Sequence, residues 1–176
     1  LSADAHLQQL NAIDDDALPN AICLYDPSWH QGVIGILASR IKERYHRPTI
    51  CFAQATDDEN NTIIKGSARS IDGLHIRDAL DTVAAKNPKL ISKFGGHAMA
   101  AGLSISASDF EDFRQAFVEQ VNRCLSEQDL EQTIWSDGAL QGVAFGVDSA
   151  KRLRTAMPWG QKLPAPLFDD HFEIVQ

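Results

Sequence analysis

The sequence is poor in the residues that would build a metal centre or a disulfide framework. Its three cysteines, Cys23, Cys51 and Cys124, are scattered through 176 residues and form no C-x-x-C pair. That excludes a thiolate zinc site and a stapled secreted scaffold, and it points to reduced thiols in a cytosolic protein. Outside Asp14-Asp15-Asp16, which reads as a solvated linker run, there is no D-x-D, D-H-H or H-x-x-E-H grouping. Metal-dependent phosphodiester hydrolysis needs clustered carboxylates, so no metal is expected in this chain. A Walker loop and a G-x-S-x-G elbow are also missing, which removes two common nucleophile and phosphate chemistries. No apolar run approaches the roughly 20 residues of a membrane helix. The first residues, Leu1-Ser2-Ala3-Asp4, lack an initiator Met, a basic region and an apolar stretch. No signal peptide is expected in them, and a start at Leu1 is expected for a piece of a longer chain.

What is present is a globular composition, 44% hydrophobic and 23% charged, with a net charge of −8. The charge is unevenly spread. Residues 1–27 carry five acids and no Lys or Arg, whereas residues 62–97 carry Lys65, Arg69, Arg77, Lys86, Lys89 and Lys93 against three acids. That stretch is the only net-basic one, and a local positive patch on an acidic protein can engage phosphates.

Periodicity gives the organisation. Residues 1–19 read as the end of a connecting helix and a linker broken by Pro19-Asn20. An apolar run at 21–25 reads as a buried strand, and Ile34, Leu37 and Ile41 mark a helix over 33–45. Strands are predicted at 49–53, 62–67 and 100–105, with a polar loop at 56–61 and a helix over 76–85. Ser108-x-x-Glu111 reads as a capping box for a helix whose Phe110, Phe113, Phe117, Val121 and Leu125 form a core stripe. The expected fold is α/β, a mixed sheet flanked by helices over residues 20–126. Residues 127–176 are expected to begin a partial, β-rich, OB-like region. Within it, 133–135 and 172–175 read as strands, 149–156 as a helix and 158–166 as a loop.

Three loops carry the chemistry. Trp29-His30-Gln31-Gly32-Val33-Ile34-Gly35 lies at a strand-to-helix junction, where unpaired amides attract anions. In Lys65-Gly66-Ser67-Ala68-Arg69-Ser70, alternation sends Ser67 and Arg69 to one side, where a hydroxyl and a guanidinium can grip a phosphate. In Gly95-Gly96-His97-Ala98-Met99-Ala100-Ala101-Gly102, glycines allow close backbone approach beside a histidine that can donate to a phosphate. Each also has a plain reading as a turn or a surface ion pair; three together in one small sheet domain favour a phosphate site.

These three stretches, with Leu74-His75-Ile76-Arg77-Asp78-Ala79-Leu80 and Pro158-Trp159-Gly160-Gln161, resemble the DHHA1 domain of the DHH phosphoesterase superfamily. They are most similar to its single-strand-specific 5′→3′ DNA exonucleases, over residues 20–176. The resemblance implies a domain order of catalytic DHH, helical connector, DHHA1 and OB-fold, with Mn2+ or Mg2+ held by a DHH domain that this chain lacks. It implies a bacterial cytoplasmic repair and recombination enzyme acting on the 5′ end of single-stranded DNA. Its own DHH domain, a single-strand-binding protein and a helicase would be partners, and no membrane is involved. By that likeness Ser67 and Arg69 would hold the terminal phosphate or a neighbouring one. His97 would approach the scissile phosphate, and Gly95 and Gly96 would give it room. His30 and Arg77 would touch the DNA backbone, and Trp135 and Trp159 are expected to pack in a core. Two alternatives stand beside this: a superfamily phosphoesterase for short oligonucleotides, and a non-catalytic nucleic-acid-binding module.

Overall fold

In the computed structural model, residues 18–57, 59, 61–140, 145–160 and 163–171 are described. The expected linker before residue 18 and the expected strand at 172–175 lie outside them. The chain divides into two compact units, Leu1–Gln132 and Thr133–Gln176.

The first unit holds a five-stranded sheet. Its strands are β1 (Ile22–Tyr25), β2 (Thr49–Thr56), β3 (Thr62–Arg69), β4 (Lys93–Gly96) and β5 (Ala100–Ser106), in the order β1-β2-β3-β5-β4. β1 and β2 are parallel, as the intervening helix requires, and the other pairs are antiparallel. The sheet is therefore mixed and flanked by helices, as expected.

Alternation along the strands sorts residues to two faces. On one face Ile50, Phe52, Ile64, Ala68, Leu103 and Ile105 pack against α2 (Ile76–Lys86) and α3 (Phe110–Cys124). The stripe in α3 is a core stripe as expected: Phe113, Phe117 and Val121 are fully buried one turn apart. Phe52 meets Phe110 and Phe113 edge-on, with centroids 5.6 and 5.5 Å apart. On the other face α1 (Ile34–Tyr45) lays Ile34, Ala38 and Ile41 over Ile22, Cys51 and Ala53. α1 covers β1, β2 and part of β3; the face of β5 and β4 on that side bears no helix among the described residues.

Two local expectations are corrected. Ser108 does not cap α3. A 3-10 turn over Ala107–Asp109 precedes the helix, Ser108 donates to Asp109, and Glu111 instead pairs with Arg114. A capping box does exist, at Ser126 and Asp129, and starts the short α4 (Glu127–Leu130). The loop read over Gly95–Gly102 is shorter than expected, because Lys93–Gly96 form β4, whose backbone pairs with β5.

In the second unit α5 (Val147–Ala156) begins two residues before its expected start. Residues 133–135 are irregular rather than extended in a ladder. Trp135 is 85% exposed, not packed in a core. Trp159 is half-buried and donates its indole N–H to the Leu153 carbonyl at 2.7 Å. No helix of the described residues is long and apolar enough to cross a membrane.

Candidate phosphate-binding site

Ser67 and Arg69 sit two residues apart on β3 and face the α1 side, as alternation requires. The Arg69 side chain runs along the first two turns of α1. Its Nε donates to Ser39 Oγ at 3.2 Å, and Nη1 donates to Ser67 Oγ at 3.0 Å and to the Ala68 carbonyl at 2.8 Å. Nη2 faces Gly35: a Cβ there would lie 3.0 Å from Nη2 and 3.2 Å from Ser67 Oγ. Gly35 is thus small so that the guanidinium and hydroxyl can lie beneath the helix. No side chain caps this helix start, and its first turn holds no acid.

Arg69 is half-buried, and no carboxylate lies within 4.0 Å of it among the described residues. Arg114 and Arg123, by contrast, each meet a glutamate. A cation withdrawn from water without a counter-charge is costly. Here three of its donors are fixed by neutral oxygens, while Nη2 has no protein partner among the described residues. That leaves one side of the fork ready for the oxygens of an anion such as a phosphate. Cys51, beneath α1, is no nucleophile: burial pushes its thiol up to about 12 despite the pull of Arg69. Burial likewise raises Cys23, with Cys51 adding to it.

The other expected residues fall into three groups. His97 is exposed in the β4–β5 turn, whose shape is fixed by backbone bonds from His97 N–H to Ala100, Ser70 N–H to Met99 and Ile76 N–H to Ala98. The turn therefore sits beside the end of β3 that carries Arg69. Gly96 serves that turn: its φ is +147°, and a Cβ would lie 2.4 Å from the Ala100 carbonyl oxygen. His30 Nδ1 accepts from Gly32 N–H at 3.0 Å, closing its own loop. Arg77, in the first turn of α2, is exposed and 4.0 Å from Asp78.

Gly95 and Gly102 behave differently. They are register partners on β4 and β5, and Gly102 also faces Ser67 on β3. Neither has positive φ. A Cβ on Gly95 would meet nothing within 4 Å, and one on Gly102 only the Gly66 carbonyl oxygen at 3.9 Å. Nothing in the described chain requires their smallness, so its cause is sought outside the chain; glycines of this kind mark close approach of a ligand or another backbone.

Sequence reasoning missed Ser39 and Gly35 as supports of Arg69. Gly35 stood in a motif, but its contact crosses from helix to sheet. Among the described residues no group of three His, Cys, Asp or Glu is placed to hold a metal ion. This donor set does not fit a Mn2+ or Mg2+ centre.

A family profile described as the DHHA1 domain matches residues 18–127. The single-stranded-DNA-specific exonuclease RecJ of Dickeya dadantii is 52% identical over 161 residues, covering 92% of this chain and 27% of that protein. The protein of the same name from Haemophilus influenzae is 48% identical over 168 residues, covering 96% and 28%. The crystal structure of RecJ in complex with Mn2+ from Thermus thermophilus aligns with a TM-score of 0.70 at 28% identity, over 94% of this chain and 23% of that one. The chain spans little more than a quarter of the curated relatives it matches. The resemblance read from the motifs is borne out.

Proposed function

The chain belongs to the DHHA1 domain family, and from that premise we propose that it is the DNA-end-binding part of a single-strand-specific 5′→3′ exonuclease of the RecJ type, serving repair and recombination. The observation that carries this is Arg69: a half-buried guanidinium with no carboxylate partner among the described residues, braced by Ser39 and Ser67. Its open side suits the terminal 5′ phosphate or its neighbour. Ser67 turns its hydroxyl to the same anion. His97, held in a fixed turn next to the Arg69 end of β3, is assigned to the scissile phosphate, where it would steady developing charge. Gly95 leaves room there, while Gly96 shapes the turn. His30 and Arg77 are assigned backbone contacts. Hydrolysis, with the Mn2+ or Mg2+ it uses, is assigned to a DHH domain outside these 176 residues. That domain is the first partner, with a single-strand-binding protein and a helicase beyond it, in a bacterial cytoplasm.

The test is fluorescence anisotropy with a single-stranded oligonucleotide carrying either a 5′ phosphate or a 5′ hydroxyl. A charge-assisted pair to phosphate contributes about 1.5–3 kcal/mol, so the phosphorylated end should bind roughly 10- to 100-fold tighter. Arg69→Ala should erase that preference. Equal affinity for both ends in the unsubstituted chain would overturn the assignment of the end pocket.

A further inference from the structure

Two lysines of the basic stretch, Lys65 and Lys93, face the same open side of the sheet as Arg69, and Lys89 lies at its rim. Register places Lys65 of β3, Ser104 of β5 and Lys93 of β4 in one row across the strands. The next row is Ser67, Gly102 and Gly95, and the next is Arg69 and Ala100. Successive rows on one face are about 6.7 Å apart. A cationic row therefore lies roughly 13 Å along β3 from the Arg69 row, and the row between them has bare glycine backbone on β5 and β4, beside Ser67 of β3.

Two surface concavities meet at this row. One, of 360 Å3, is lined by Lys65, Lys93, Gly95, Gly102 and Ser104. The other, of 540 Å3, shares Lys65, Lys93 and Ser104 and adds Lys89 and Ser92. All three lysines are exposed, and none has an ion-pair partner among the described residues, whereas Lys42, Arg77, Arg114 and Arg123 each have one. One acid faces Lys65 and Lys93: Asp57 lines the larger concavity, its carboxylate held low by the Asn61 side chain and amide and the Glu59 amide; Lys89, at the rim, also lines a separate concavity with Asp109, Asp112 and Glu119. Lys65 and Lys93 against one carboxylate leave the row positive.

We propose that Lys65, Lys93 and Lys89 form a second anion track, taking the sugar–phosphate backbone of the strand whose 5′ end sits at Arg69. The strand crosses the glycine shelf, where no Cβ stands in its way, and runs 3′-ward toward the loop between β2 and β3. Lysines are point charges on flexible stems and read no base edge, so this contact is independent of sequence. The inference rests on the end-binding reading for its direction, but its charge and shape stand apart from it. An acidic peptide could meet the same charges; continuity with the phosphate pocket across bare backbone favours nucleic acid.

The test uses the whole chain with alanine at Lys65, Lys89 and Lys93 together. The probes are 5′-phosphorylated oligothymidylates of about 2 and about 12 nucleotides, the shorter ending before the lysine row and the longer within the usual single-strand site sizes. All three lysines are exposed, so the melting temperature should be unchanged. Affinity for the longer probe should fall at least tenfold, and the slope of log affinity against log salt should shrink by about 1.4–2.1, roughly 0.7 for each of two or three phosphates. Binding of the short probe, and the preference for a 5′ phosphate over a 5′ hydroxyl, should not change. An unaltered salt slope on the longer probe would overturn the track. So would tighter binding of polyglutamate than of the oligonucleotide. Loss of the 5′-phosphate preference in the unsubstituted chain would overturn the end pocket alone, leaving the track to be judged by its slope.

Discussion

Two glycines in adjacent registers of β3 and β5 should respond in opposite ways to one added methyl group. At Gly66 an ideal Cβ would lie 2.6 Å from Phe52 Cε1 and 2.7 Å from Leu103 Cδ2. Carbon pairs settle near 3.5–4.0 Å, so Phe52 must retreat by about 1 Å. It has nowhere to go: it is fully buried and edge-on to Phe110 and Phe113, and Phe113 stacks on Phe117 at 5.9 Å. Overpacking of this kind costs about 1–3 kcal/mol, against roughly 0.5–1 kcal/mol gained by replacing a strand glycine. The net loss for Gly66→Ala is about 1–2 kcal/mol, a fall in melting temperature of roughly 4–8 °C for a domain of this size. At Gly102 the methyl meets only a carbonyl oxygen at 3.9 Å. Gly102→Ala should melt at the same temperature or a few degrees higher, yet bind a phosphorylated oligonucleotide more weakly. Thermal unfolding by circular dichroism, with anisotropy on the same samples, reads both. A Gly102→Ala protein that melts lower, or a Gly66→Ala protein that melts unchanged, would refute the reasoning that separates packing glycines from shelf glycines.

Two more outcomes follow from the titrating groups. Exposed Cys124 should react with a thiol reagent at mildly alkaline pH in the folded protein, while Cys23 and Cys51 should react only on unfolding, because burial raises both thiols; three equivalents of fast reaction would contradict the burial. Asp129 is held below the ordinary carboxylate range, chiefly by the Ser126 hydroxyl and then by the Ser126 amide. A carboxylate depressed on folding stabilises above its unfolded value and loses that effect as pH falls through the folded one. Asp129→Asn should therefore lower the melting temperature at neutral pH, and the difference should close below about pH 4; a difference that persists in acid would show that the charge is not the cause.

The helices and central strands were legible because their cause is local. Ile34 and Ile41, or Phe113, Phe117 and Val121, bury one face at helical spacing and mark their elements without outside help. β4 was not legible, because Lys93-Phe94-Gly95-Gly96 has little strand propensity and is extended only through its partner β5. Ser108 misled because a 3-10 turn intervened and Arg114 took the glutamate. In the candidate site, the two-residue alternation of Ser67 and Arg69 placed both on one side. Ser39 could not be found, since it reaches Arg69 from another element across 30 positions. Charge counting located the basic stretch but not which lysines it leaves unpaired, because register alone sets Lys65 beside Lys93.

A sheet with one half-bare face and a row of unneutralised lysines could be expected to recruit strands from other molecules. Its outline works against that. Both border strands, β1 and β4, are four residues long, while the three inside them run to seven or eight. Short borders offer few free amides and carbonyls for an incoming chain, and β4 adds a lysine and two glycines that pair poorly. Like charges on the open face would repel a second copy laid upon it. The geometry that leaves a flat place for a polyanion thus also discourages self-templating and fibre growth, so openness to one guest need not mean openness to itself.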